Sequence, residues 1–153
     1  MPRSIVRASI VVAPLLREQD SVREAVSLLA GQELPALPVV DYAGRLTGIF
    51  GEREFIAALF PQYVGTLRSA AFVRASLDEV LEHRLPSLAE PVARHMNTEH
   101  VDVPDDVSDV QLAEIFLHHR VLIAPVVREG LPVGVVRRSE FFRALAARLE
   151  DLR

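Results

Sequence analysis

Cysteine is absent from this 153-residue chain, which excludes a disulfide framework and thiolate chemistry. A basic surplus is missing too: 17 Lys and Arg stand against 21 Asp and Glu, for a net charge of −4. A nucleic-acid footprint needs a basic face, so no nucleic-acid partner is expected. No apolar run approaches the length of a membrane span. Met1 to Arg7 leads into only a short apolar stretch, Ile10 to Ala13, which lacks the layout of a signal peptide. The expectation is a cytoplasmic protein with no membrane partner.

Catalytic and metal patterns are also missing. There is no Ser-His-Asp order, no Walker glycine run and no supported carboxylate dyad, so no enzyme is expected. His118 and His119 are adjacent, and neighbours on a helix point about 100° apart. With His83, His95 and His100 scattered, no ligand spacing arises and no metal site is expected. A position near a helix C-terminus, where a cation suits the dipole, accounts for the pair.

What is present is an ordinary globular balance, half hydrophobic and a quarter charged, and one pattern written twice. Leu37-Pro38-Val39-Val40-Asp41, a turn, then Leu46-Thr47-Gly48-Ile49-Phe50 with Glu54 and Phe55 form the first block. Ala124-Pro125-Val126-Val127-Arg128, a shorter turn, then Val133-Gly134-Val135-Val136 with Glu140 and Phe141 form the second. Pro38 to Pro125 is 87 positions, whereas Gly48 to Gly134 and Glu54 to Glu140 are each 86, so the second turn is one residue shorter. Two copies of a unit too small to bury its own apolar face pack together, and a cleft forms between them.

Each block is preceded by a capped helix. Ser21-Val22-Arg23-Glu24 and Ser108-Asp109-Val110-Gln111, again 87 apart, read as capping boxes. Val22, Val26 and Leu29 in one copy, and Leu112, Ile115 and Phe116 in the other, give apolar stripes of helical period. With first strands expected over Ile10–Val12 and His100–Val103, each copy reads strand, helix, strand, strand, helix. This is an α/β (α+β) pattern. The copies span residues 8–60 and 91–147. Residues 61–90 form a helical insertion, with a turn at 61–65, a capping box at Ser76 and a helix to about Leu85. Pro91 is expected in the first turn of a short helix through His95.

The Pro-Val-Val strand, the glycine-bearing turn, Gly followed by two apolar residues, and an acid six positions after that glycine resemble the cystathionine-β-synthase (CBS) domain. Two copies at matched spacing resemble a stand-alone CBS-domain pair. The resemblance implies two β-α-β-β-α repeats related by a pseudo-twofold axis, a homodimer, and a regulatory role in signalling to a protein partner. It also implies an adenosine-containing ligand such as AMP or ATP in the cleft between repeats, with no cofactor required. The family motif runs glycine, two apolar residues, a hydroxyl residue, two variable residues and Asp. The Asp takes the ribose hydroxyls, and the hydroxyl residue caps the helix beside the ligand.

Here the motif reads Gly48-Ile49-Phe50-Gly51-Glu52-Arg53-Glu54 and Gly134-Val135-Val136-Arg137-Arg138-Ser139-Glu140. Both aspartates are glutamates, and both hydroxyl positions are lost, to Gly51 and Arg137. The resemblance places the ligand among Pro38, Gly48, Arg53 and Glu54 of the first copy and Ala124, Pro125, Gly134, Arg137, Arg138 and Glu140 of the second. The arginines would lie at phosphates. The alternative function is a structural or interaction dimer whose pocket has degenerated. In that reading Glu54 and Glu140 are first-turn helix acids favoured by the dipole, the prolines mark strand edges, and the arginines are surface charge.

Overall fold

The computed structural model describes residues 4–60 and 76–153. In chain order the described elements are α1 (Ile5–Ser9), β1 (Ile10–Val11), β2 (Leu16–Arg17), α2 (Val22–Ala30), β3 (Ala36–Val40), β4 (Leu46–Gly51), α3 (Glu52–Leu59) and α4 (Leu77–Arg84). Two 3₁₀ turns follow, at Leu85–Ala89 and Val92–Arg94. Then come β5 (Val103–Pro104), α5 (Asp109–His118), β6 (Ile123–Arg128), β7 (Leu131–Arg137) and α6 (Arg138–Asp151). The expected turn at 61–65, with Leu67, Phe72 and Val73, lies outside the described residues.

Local chemistry sets most of these bounds. The hydroxyls of Ser21, Ser76 and Ser108 accept the amides of Glu24, Glu79 and Gln111, so one device opens α2, α4 and α5. At Ser108 the box is complete, because Gln111 reaches back to the Ser108 amide at 3.0 Å. At Ser21 the carboxylate of Glu24 takes the Ser21 hydroxyl instead. Pro91 sits one position earlier than expected, as the N-cap of the 3₁₀ turn. In the first hairpin, Asp41 Oδ1 accepts the amides of Ala43 and Arg45, and Gly44 takes φ +84°. The second hairpin turns on Glu129 and Gly130, both at positive φ, the geometry of a two-residue primed turn. That tighter turn is the missing residue of the second copy.

Each copy contributes a short parallel strand and an antiparallel hairpin. β2 lies parallel to β3 and β5 parallel to β6, with Leu16 opposite Val39 and Val103 opposite Val126. Pro38 and Pro125 occupy the central strands one residue before the parallel partner begins, where no ladder amide is called for. A bulge follows at the same place in both copies, Val39/Val40 and Val126/Val127.

The first strands differ from expectation. β1 does not join the sheet of its own copy; it pairs antiparallel with β7, Ile10 opposite Val136 and Val11 opposite Val135. The second copy returns the exchange as a single bridge, Asn97 to Ile49. The strand expected over His100–Val103 is instead β5, the counterpart of β2. One sheet therefore runs β1-β7-β6-β5 and the other β2-β3-β4. The crossings pass over glycine. A Cβ at Gly134 would stand 2.6 Å from Ile10 Cγ2 and 2.8 Å from the Val11 carbonyl oxygen; one at Gly48 would stand 2.8 Å from Met96 Sδ.

The exchange mixes the two cores. Ile5 and Val6 of α1 are buried with Val103, Leu112, Val126 and Phe141 of the second copy. Ile123 and Val135 of the second copy, with Val92, pack into the first around Leu37, Val39 and Phe50. Helix α1, which the periodicity does not announce, is held by one carboxylate. Asp109 Oδ1 accepts the Ser4 hydroxyl (2.9 Å) and the Val6 amide (3.0 Å), and Oδ2 accepts the Ile5 amide (3.2 Å). Burial pushes the Asp109 carboxyl up, but these donors and Arg148 outweigh it and hold it below its ordinary value.

Two expectations follow. Gly134→Ala forces a Cβ into a strand crossing and is expected to cost about 1–3 kcal/mol. At about 2–4 °C per kcal/mol for a chain of this size, thermal denaturation reads the loss directly. Gly48→Ala should cost less, since the flexible Met96 side chain can move and the main-chain oxygen of Asn97 stands back at 3.0 Å, against 2.8 Å for that of Val11 at Gly134; an equal loss would refute the crossing argument. Asp109, with its folded pKa depressed, contributes stability that is full above its unfolded value near 4 and is lost as pH falls through the folded value. The stability gap between wild type and Asp109→Asn, measured by denaturant titration, should be widest at neutral pH and close below about pH 4.

Candidate functional site

The ends of β4 and β7 run straight into helices α3 and α6, so the two motif segments meet the facing copy at similar places. Two clefts open there. The first, of about 500 Å³, is lined by Ile49, Glu52, Arg53 and Glu54 on one side and by Asn97, Glu99 and the 120–123 segment on the other, with Pro35 and Ala36 at the base. The second, of about 700 Å³, lies between Gln32–Pro35 of the first copy and Arg137, Arg138, Ser139 and Phe142 of the second. Pro35, Glu52 and Leu122 border both.

At the first motif the lost hydroxyl has a steric cause. A Cβ on Gly51 would lie 2.2 Å from the Pro35 carbonyl oxygen and 2.5 Å from the Ala36 Cβ, so no side chain fits. The cap is rebuilt from the other end: Glu54 Oε1 accepts the Gly51 amide at 3.0 Å, and the Pro35 carbonyl accepts the Glu52 amide at 3.0 Å. Burial raises the Glu54 carboxyl above its ordinary value, against the pull of the Gly51 amide, its own amide and the Arg53 guanidinium. A raised folded value favours the protonated acid, so this group's contribution to stability is present below its unfolded pKa and lost as pH rises.

At the second motif the space admits an arginine. Arg137 is the N-cap of α6 but leaves the helix amides alone. Its Nη1 donates to the Glu33 carbonyl at 2.7 Å, and its Nη2 lies 3.1 Å from Glu140 Oε1. Arg143 Nη1 approaches the same Glu140 oxygen at 2.6 Å. The α6 N-terminus thus has no side-chain cap; the Arg138 amide donates to the Leu122 carbonyl at 2.9 Å, and Arg138 and Ser139 line the cleft. Arg138 enters no ion pair or side-chain hydrogen bond among the described residues. Guanidinium, hydroxyl and helix N-terminus together suit an anion.

The expected ligand residues therefore divide. Arg53 and Glu54 line the first cleft; Arg137 and Arg138 line the second. Glu140 lies behind them, engaged by two arginines. Gly48 and Gly134 are buried under the strand crossings, and Pro38, Ala124 and Pro125 are buried inside the sheets, so none of the five lines either cleft. The segments just before β3 and β6 went unnoticed in the sequence. Gln32–Pro35 and His119–Leu122 are equivalent at 87 positions, but no residue type in them marks a wall. Among the described residues no cluster of His, Asp and Glu could hold a metal, and no helix is long and apolar enough to cross a membrane.

The CBS-domain family model matches residues 7–61. A CBS domain-containing protein of unknown function from Kribbella flavida superposes with a TM-score of 0.72 at 24% identity, covering 91% of this chain and 96% of that one. CBSX2 solved in complex with AMP superposes with a TM-score of 0.69 at 18% identity, covering 99% and 100%. An uncharacterised protein of Methanocaldococcus jannaschii is 24% identical over 131 residues, 86% of this chain; the chain spans 29% of the length of that relative.

Replacing Gly51 with serine tests the site geometry. Simple motif logic says that Gly51→Ser restores a cap; the Pro35 and Ala36 contacts say that it destabilises, by about 1–3 kcal/mol. Arg137→Ser, at the roomier equivalent position, should cost less. A thermal melt in which Gly51→Ser is neutral or stabilising would overturn the steric account.

Proposed function

We propose that this chain is a CBS-domain regulatory module that binds an adenosine-containing nucleotide in the clefts between its repeats; the match of residues 7–61 to the CBS-domain family model and the fold shared with CBS-domain proteins support the reading. The observation that carries this reading is the second cleft. It is of nucleotide size, it spans both repeats, and at one wall it gathers Arg138, whose side chain has no partner among the described residues, the Ser139 hydroxyl and a helix N-terminus without a side-chain cap. These groups would take the phosphate. The AMP held by CBSX2 supports the ligand class. Glu54 and Glu140 each commit Oε1 to a neighbour; Glu54, at the first cleft, keeps Oε2 outside that bond to accept from a ribose, whereas Glu140 lies behind the wall of the second.

A ligand that touches both walls favours the relative orientation that fits it, so binding shifts the population of the pair. Exposed apolar side chains on α3 and α6, Ile56 on one and Phe142, Leu145 and Leu149 on the other, support a homodimer that would read the shift.

A second reading is a structural or interaction module with no nucleotide site. It is favoured by the use of both Oε1 atoms for internal bonds.

Calorimetry separates the two readings. AMP is expected to bind, and Arg138→Ala to weaken AMP by about 10–100-fold, the range for a hydrogen bond to a charged group, while adenosine changes little. At 100 times its dissociation constant AMP should add about 2.7 kcal/mol of stability. No binding by adenosine, AMP or ATP would leave the structural module as the function.

A further inference from the structure

We propose that Arg137 is a releasable strut: it ties the two walls of the second cleft together, and an anionic ligand draws it off. The ligand class rests on the nucleotide reading above; the strut does not.

Arg137 belongs to the second repeat, yet its Nη1 donates to a main-chain oxygen of the first, Glu33, at 2.7 Å. Of the side-chain hydrogen bonds described at this cleft, it is the one that joins wall to wall. Its side chain is 21% exposed, so the guanidinium lies largely within the protein. Its bonding is incomplete, because Nε is buried without a partner among the described residues. An arginine with an unmade N–H inside a cleft exchanges partners more readily than a saturated one.

The other end of the strut is arranged so that release strands nothing. Glu140 Oε1 is shared between Arg137 Nη2 at 3.1 Å and Arg143 Nη1 at 2.6 Å. When Arg137 leaves, Arg143 keeps the carboxylate paired, which avoids the cost of an isolated partly buried charge. The Glu33 carbonyl lies on an exposed residue and can turn to water. Arg137 itself gains, since a phosphate offers several acceptors to a planar fork of donors. Arg138, whose side chain has no partner among the described residues, supplies first contact for the anion.

The freed element is Gln32–Pro35, the connection between α2 and β3. Its far end is anchored at the other cleft, where the Pro35 carbonyl accepts the Glu52 amide at 3.0 Å. Pro35, Glu52 and Leu122 border both clefts, so loosening one wall of the second alters the base of the first.

Amide hydrogen exchange on the full chain, read in peptides covering residues 31–36, tests this with AMP and inorganic pyrophosphate as probes. Without ligand, Arg137→Ala and the milder Arg137→Gln should each speed exchange there by about tenfold, equivalent to about 1.4 kcal/mol of lost local protection. In the wild type either probe should produce the same acceleration, with no further increase in Arg137→Ala. Arg143→Ala should weaken AMP binding by about tenfold, because release then strands Glu140. Unchanged exchange at 31–36 in both Arg137 variants without ligand overturns the strut. A probe that binds and slows exchange there overturns the release. Failure of both probes to bind wild type and variants overturns the hand-over together with the nucleotide reading, and the ligand-free comparison alone then decides the strut.

Discussion

The exchange of first strands between the copies is the constraint on which the rest depends. β1 leaves its own repeat to close the edge of β7, and Asn97 returns the contact to Ile49. Neither sheet is complete without residues from the other half, so the repeats share their cores rather than merely touch. The glycine of each motif permits this. At Gly134 any Cβ meets the crossing strand, and at Gly48 it meets Met96 and Asn97. A residue type that resembles part of a ligand motif is thus demanded by strand packing.

On this nearly symmetric frame the two motif sites carry unlike chemistry. Where the backbone of Pro35 and Ala36 presses against Gly51, no side chain fits, and a buried glutamate closes the helix end from within. At the equivalent place there is room for Arg137, which turns away from its helix and reaches the other repeat. One end is therefore capped, and its cleft sets Glu52, Glu54 and Glu99 beside Arg53 and Arg120. The other has a helix terminus without a side-chain cap, beside two arginines. A change of volume at one position decides whether a helix start is closed by its own glutamate or left without a side-chain cap.

The same economy of groups appears at the N-terminal arm. Asp109 stands in the first turn of α5, where the dipole favours it, and its two oxygens also accept the hydroxyl and amides that open α1. Burying Ile5 and Val6 in the second core then joins the start of the chain to its far half. The two hairpin tips make a further tie, the Leu46 amide donating to the Gly130 carbonyl at 3.0 Å. Strand crossing, arm and hairpin tips hold the halves along their length. The second cleft is left to one arginine.

The repeat, its phase of 87 then 86 positions, the capped helices at Ser21, Ser76 and Ser108, and the central hairpins were legible in the sequence because each depends on neighbours a few residues apart. Serine three before an acid or amide, β-branched runs, and glycine in turns act locally, and the structure has them where the pattern puts them. The α/β class follows from that order alone. What the sequence could not disclose is whatever depends on contacts some 85 to 125 positions away. The destination of β1 is one case, since a strand of two residues carries no address. Helix α1 is another, because its support is the carboxylate of Asp109. The site divides in the same way: Arg53, Glu54, Arg137 and Arg138 were legible as cleft residues from the motif, whereas Glu33, Pro35 and Leu122 bear no chemical mark of a wall. That Glu140 is already held by Arg143, one helical turn on, and that Gly51 has no room for a hydroxyl against Pro35 and Ala36, are matters of distances in tenths of an ångström that no residue type announces. Only the packed structure sets them.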